Sequence, residues 1–174
     1  MLKSFTRALL IIPICFWGSC ISTSNFEQSF RETQHNNAGF LNVTKVVDGD
    51  TFWVDNGTEK GMKIRLIGID APESRNAFNK RVGYYGKEAT AYMKQLLQGK
   101  RVKLVSDVDS LDRFGRTLSY AYLEDGTFIN AVLLKNGCAI LMTIPPNVRF
   151  AEDFVALQRE ARRQKRGLWG NVIR

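Results

Sequence analysis

Four short fragments in the middle of this chain carry its most reactive side chains. They are Asp48-Gly49-Asp50-Thr51, Arg65, Asp70-Ala71-Pro72-Glu73 and Asp112-Arg113-Phe114-Gly115-Arg116. Together they offer carboxylates for a hard cation, a further carboxylate, and the guanidiniums of Arg65 and Arg116 beside that of Arg113. Oxygen-rich sets of this kind suit calcium, or another hard divalent cation such as magnesium. Guanidinium forks match paired phosphate oxygens where an ammonium does not. A remaining carboxylate is suited to handling an attacking water. That inventory fits a site that cuts a phosphodiester, because attack piles negative charge on the non-bridging oxygens. A module that merely bound nucleic acid would need the basic groups alone.

Histidine narrows the chemistry further. The only one, His35, lies in a polar stretch from Ile21 to Gly39 that reads as a flexible arm. A domain without histidine has no Ser-His-Asp triad, no Cys-His pair and no histidine zinc site. Its acid–base work falls to carboxylates, tyrosines or basic side chains. Cys138 sits in an apolar stretch and is expected to be a buried, inert thiol.

The N-terminus has the layout of an export signal. Lys3 and Arg7 precede an apolar run from Ala8 to Trp17, and small residues Gly18 and Ser19 follow. The run is short for a membrane span. Cys20 comes next and looks like the lipidated cysteine of a bacterial lipoprotein box, although Phe16 and Trp17 depart from its usual aliphatic position. Two outcomes stay open: a lipid anchor at Cys20, or plain secretion. Removing Lys3 and Arg7 with the signal lowers the net charge from +8 to +6. A basic exported domain suggests a polyanionic partner, nucleic acid first. The organisation expected is a signal peptide over 1–19, a flexible polar arm over 20–39 and a folded domain over 40–171.

The site residues need a scaffold to bring them together. Leu41 to Val47, Thr51 to Val54 and Lys63 to Ile69 read as strands, with hairpin chemistry at Asp55-Asn56-Gly57-Thr58. Pro72 stops the third strand. Ala89, Tyr92, Met93, Leu96 and Leu97 recur at helical spacing within Gly86 to Gln98. Arg101 to Val105 and Leu118 to Leu123 are two more strands. A short helix ending at Gly137 follows, with Val132 and Leu133 turned inward. A last helix runs from Ala151 to Arg166 and buries Phe154, Leu157 and Ala161. Trp169 plugs one end of the core, and Tyr84 and Tyr85 pack at the first helix's start. Five strands with helices after the third and fifth predict an α+β, mainly β fold: a five-stranded OB-type barrel with three helices.

One placement is demanding. Arg65 and Asp70 are five residues apart, so a flat strand would point them to opposite faces about 16 Å apart. The site requires the strand to coil or bulge, and Gly68 is where the sequence allows it. Singly, each fragment also has a plain reading as a turn, a strand stop or a hairpin loop. Their combination favours function. The run Arg162, Arg163, Lys165 and Arg166 reads as a solvated helix face.

From Phe40 to Trp169 the chain resembles the staphylococcal nuclease (thermonuclease) family. The motifs carrying the resemblance are Val47-Asp48-Gly49-Asp50-Thr51, Ile64 to Glu73, Tyr85-Gly86-Lys87-Glu88-Ala89, Asp112 to Arg116 and the closing Gly167-Leu168-Trp169. The resemblance implies a calcium-dependent endonuclease that cleaves DNA and RNA to 3′-phosphate ends. It implies Asp50 and Asp70 as direct cation ligands, with the backbone carbonyl of Ala71 as a third and Asp48 acting through water. Glu73 would orient or deprotonate the attacking water. Arg65 and Arg116 would bind phosphate, with Arg113 and Phe114 on the substrate side. The tyrosines of the family's outer pocket are missing: Phe114 stands at one position, and Leu141 to Pro145 holds none. No protein partner is implied, and a monomer is expected. The competing reading is a catalytically silent nucleic-acid- or protein-binding barrel of the cell envelope.

Overall fold

Short β-branched runs separated by turn residues fold into strands, and the helical-period runs into helices, in a computed structural model that describes residues 39–74 and 83–170. The expected signal segment, nearly all of the polar arm, His35 and Cys20 lie outside the described residues. Seven strands are described: β1 (Leu41–Val46), β2 (Thr51–Val54), β3 (Met62–Leu66), β4 (Gly68–Asp70), β5 (Arg101–Val105), β6 (Thr117–Leu123) and β7 (Ile140–Met142). The helices are α1 (Gly86–Leu97), α2 (Ile129–Lys135) and α3 (Ala151–Arg163), followed by a 3-10 turn at Gly167–Trp169.

The barrel closes in the order β1-β2-β3-β6-β5 and back to β1. Closure leaves no unpaired sheet edge among these five strands. β3 and β6 run parallel, with Arg65 opposite Leu118. The seam between β1 and β5 is short, with Leu41 opposite Val102 and Asn42 opposite Arg101. Phe52, Ile64 and Leu66 point inward and are fully buried. Tyr120, Phe128, Phe150 and Phe154 form a cluster of edge-to-face, tilted and stacked pairs that seats α2 and α3 on the barrel. Each such pair contributes about 0.5–1.5 kcal/mol beyond its buried area.

The third strand departs from its expected form. Lys63 to Ile69 is not continuous: β3 ends at Leu66, and β4 leaves the barrel to pair antiparallel with β7, a strand the sequence pattern did not reveal. β7 is only three residues long and has exposed ends, so it lacks a periodic signal. The break is held from both sides. Ile67 N donates to Ser119 O at 3.0 Å. Buried Asn130 donates through Nδ2 to Ile67 O at 2.9 Å and accepts Ala121 N through Oδ1. Gly68 turns the chain at φ +78°, where a side chain is disfavoured.

Smaller differences follow from helix ends and packing. α3 stops at Arg163 rather than Arg166, because Lys165 turns left-handed at φ 52°. In α2, Leu133 and Leu134 are buried and Val132 only half so. Tyr84 is exposed rather than packed, while Tyr85 is half-buried. Trp169 is half-buried, with the Arg162 guanidinium 4.2 Å from its ring. Cys138 is buried as expected, and burial pushes its thiol up to about 11.

A side chain at Gly68 meets two obstacles: the positive φ, and the Phe154 ring, whose atoms lie 2.7–2.8 Å from where a Cβ would stand. Gly99 has a similar φ of +65° but nothing within 4 Å. Gly68→Ala is therefore expected to cost about 2–4 kcal/mol and Gly99→Ala about 1. Urea melts of the two variants check the order.

Candidate active site

The turn between β1 and β2 brings the first carboxylates into position. Val47 N and Asp48 N both donate to Thr51 O, and Asp50 N donates to Asp48 Oδ1 at 3.2 Å. Gly49 is required here by space: a Cβ would stand 2.6 Å from Ala71 Cβ and 3.2 Å from Ala89 Cβ. The turn thus nests between the Ala71 segment and α1. Asp50 is stapled to β3 by its backbone and to the Ala71 segment by its side chain. Its carbonyl accepts Leu66 N at 3.0 Å, and its Oδ2 accepts Ala71 N at 2.7 Å. Its Oδ1 accepts the Thr51 hydroxyl at 2.9 Å.

Arg65 supplies the other half of the cluster. Its side chain is only 11% exposed. Nη1 donates to Leu66 O at 2.9 Å and to Ile69 O at 2.7 Å, bracing the turn at Gly68. Nη2 reaches Asp70 Oδ1 at 2.8 Å and Asp50 Oδ2 at 3.2 Å. The five-residue separation of Arg65 and Asp70 is thereby closed, because the chain folds back at Gly68 and β7 holds Asp70 opposite Ile140. Asp70 keeps a side chain that is 45% exposed.

The electrostatics follow from this burial. Burial drives the Asp50 carboxyl up to about 7, against the nearby Arg65 charge that lowers it; the Asp48 charge adds to the rise. Asp50 is the acid in this cluster most in need of positive charge.

Glu73 lies one turn beyond the cluster. Its carbonyl accepts Gly83 N at 2.9 Å. A Cβ at Gly86 would stand 2.1 Å from that same oxygen. The start of α1 is therefore pressed directly against the Glu73 backbone and fixes where this residue sits.

Arg116 is positioned by a separate device. Asp112 Oδ1 accepts Phe114 N at 2.8 Å and Arg116 N at 2.9 Å, while Oδ2 accepts Arg116 Nε at 2.7 Å. The loop is thus wound around one carboxylate, as Asx turns are. Fixing Nε fixes the plane of the guanidinium, and the side chain remains 26% exposed. Phe114 projects outward, 67% exposed, with Arg113 4.8 Å and Arg116 5.5 Å from its ring centroid. Arg116 lies in the loop just before β6, two residues ahead of Leu118, the partner of Arg65.

Asp50, Asp70 and Arg65 are thus in direct contact, and Ala71 joins them through its N–H. Asp48 reaches Asp50 through a hydrogen bond. Arg116 is held apart from this cluster's hydrogen bonds by its own carboxylate partner, Asp112. Sequence reasoning named Thr51 only as part of a motif; it missed the bond of Thr51 to Asp50, the part played by Asn130 and the organising role of Asp112. Only the last left a signal, an Asp three residues before a Gly in a loop.

Comparisons with known proteins come from the same span. The family described as staphylococcal nuclease homologue matches residues 63–171. A thermonuclease of Staphylococcus hyicus is 33% identical over 98% of this chain and 100% of its own length. A thermonuclease of Staphylococcus intermedius is 33% identical over 97% of this chain and 99% of its own. An uncharacterised endonuclease of Escherichia coli O157:H7 is 37% identical over 75% of this chain and 76% of its own.

Burial pushes the Asp112 carboxyl up, but the bonds from Arg116 and Phe114 outweigh it and hold the group below the usual carboxylate range. A depressed folded-state value adds stability above the unfolded value of about 3.9, and that stability is lost as pH falls through the folded one. Asp112→Asn should therefore lower the urea midpoint at neutral pH, with the gap to wild type narrowing as pH falls below the usual carboxylate range.

Proposed function

Because the chain belongs to the staphylococcal nuclease family, we propose that it is an exported, calcium-dependent endonuclease that hydrolyses DNA and RNA and leaves 3′-phosphate ends. The family and the relatives support the nuclease itself. The observation that carries the finer reading is the convergence of Asp50 and Asp70 on one nitrogen of Arg65.

A hard divalent cation fits this donor set. Among the described residues no cluster of three or more His, Cys, Asp or Glu side chains is arranged to hold a metal. Two carboxylates do point at one spot, one of them buried and short of positive charge. Asp50 and Asp70 would be direct ligands, with the Ala71 carbonyl completing the protein's share and Asp48 acting through water. Calcium accepts such mixed oxygen sets, with water and phosphate filling the remainder. When bound, the cation supplies positive charge to the phosphate and acidity to a nearby water.

The chain's own groups do the rest. Arg116, with its plane fixed by Asp112, offers Nη donors to the non-bridging phosphate oxygens as charge develops there. Glu73, held by Gly83 and Gly86, orients or deprotonates the attacking water; an ordinary glutamate is ionised at neutral pH but a weak base. Phe114 gives a base a face to stack on, flanked by Arg113. Its missing hydroxyl removes one hydrogen bond from the outer pocket. Export rests on the layout of residues 1–20, and mass spectrometry of the mature protein should find Cys20 at the N-terminus, its mass telling a lipid anchor from plain secretion.

The test is cleavage of single-stranded DNA by the purified protein. Cutting is expected with calcium and lost with a chelator. Folded protein that binds DNA but never cuts it would favour the silent barrel instead. Arg116→Ala should lower the rate by about 10²–10³-fold, with little change in melting temperature. A collapse of the melting temperature would mark the arginine as structural.

A further inference from the structure

We infer that the Nη2 nitrogen of Arg65 holds the position of the cation's charge, so that a divalent cation enters between Asp50 and Asp70 only as that nitrogen leaves. The inference rests on the metal-dependent reading above and adds a competitor to it. Nη2 lies 2.8 Å from Asp70 Oδ1 and 3.2 Å from Asp50 Oδ2. Asp50 Oδ2 also accepts Ala71 N, and its Oδ1 accepts Thr51. An ionised carboxylate offers about four acceptor sites, and the one facing Asp70 is filled by the guanidinium. A cation needs oxygens at about 2.3–2.6 Å, and an N–H donor aimed at the same lone pair would repel it.

The geometry also says how the exchange takes place. Nη1 is tied to Leu66 O and Ile69 O, neither of which is a carboxylate. That half of the fork stays in place as a pivot, and only the Nη2 half needs to turn away. The released N–H groups are then available to a phosphate. Cation binding thereby converts Arg65 from a partner of the acids into a donor for phosphate. By linkage, phosphate held on Arg65 favours cation binding in the same proportion.

The experiment uses the full chain, labelled with 15N and stripped by chelator, titrated with calcium chloride alone. Arginine side-chain spectra should show the Arg65 Nη2 protons losing protection as calcium saturates, while the Nη1 protons keep theirs. Arg65→Lys preserves the charge but removes the fork. Its calcium affinity by calorimetry should rise on the order of ten-fold, the Nη2 bonds no longer having to be broken. Calcium binding with the Arg65 signals unmoved overturns the inference and leaves the metal-dependent reading standing. A folded Arg65→Lys with wild-type affinity does the same, because a field effect alone would be conserved. If wild type binds no calcium, both readings fall. Should Arg65→Lys not fold, the wild-type spectrum alone decides.

Discussion

One guanidinium with four acceptors is the constraint around which the site is built. Arg65 ties the carbonyls on either side of the Gly68 turn to carboxylates from two separate segments. Burying such a charge is unfavourable unless its donors are satisfied, and here four of its donor directions are. The arrangement works only because β3 stops at Leu66. Had the strand run on to Ile69, the same sequence would have carried Asp70 to the far face. The fold therefore bends at the point where the chemistry needs two charges of opposite sign to meet.

Around that centre, small residues and side-chain amides set positions that charge alone would leave loose. Gly49 lets the β1–β2 turn lie against Ala71 and α1. Asn130 reaches from α2 to the carbonyl of Ile67, where the strand leaves the barrel. In the loop before Asp112, Asp109 and Asn147 exchange two hydrogen bonds, Asp109 N to Oδ1 and Nδ2 to Asp109 O. Tyr120 and the backbone of Arg149 converge on Asp107 beside them. The loop leading to Arg116 is thus fastened to a segment some forty residues later before it winds around Asp112.

The barrel was legible because its signals are local: β-branched and aliphatic runs bounded by turn residues, an Asn-Gly turn, helical spacing in α1 and α3. The site was legible as an inventory of residues, and Gly68 as the place where the strand had to yield. What escaped was mostly non-local. β7 is recognisable only from its pairing with β4, since three residues carry no period. Asn130 reads as one more polar residue in a helix until its two backbone partners are known. The depth of Arg65's commitment was equally hidden. A sequence shows that a guanidinium is present, but not how many of its donors the protein keeps for itself.

The seam where β1 meets β5 is the shortest join in the barrel, two facing residue pairs against four between β2 and β3. A ring with one weak clasp opens there first. Amide protons of Leu41 and Asn42 should then exchange with solvent well before those of β2 and β3, whose ladder carries Thr51 and Arg65. Fraying that begins at the chain's entry into the barrel would run through the clasp and stop short of the acids, so loosening at one rim need not disturb the chemistry at the other.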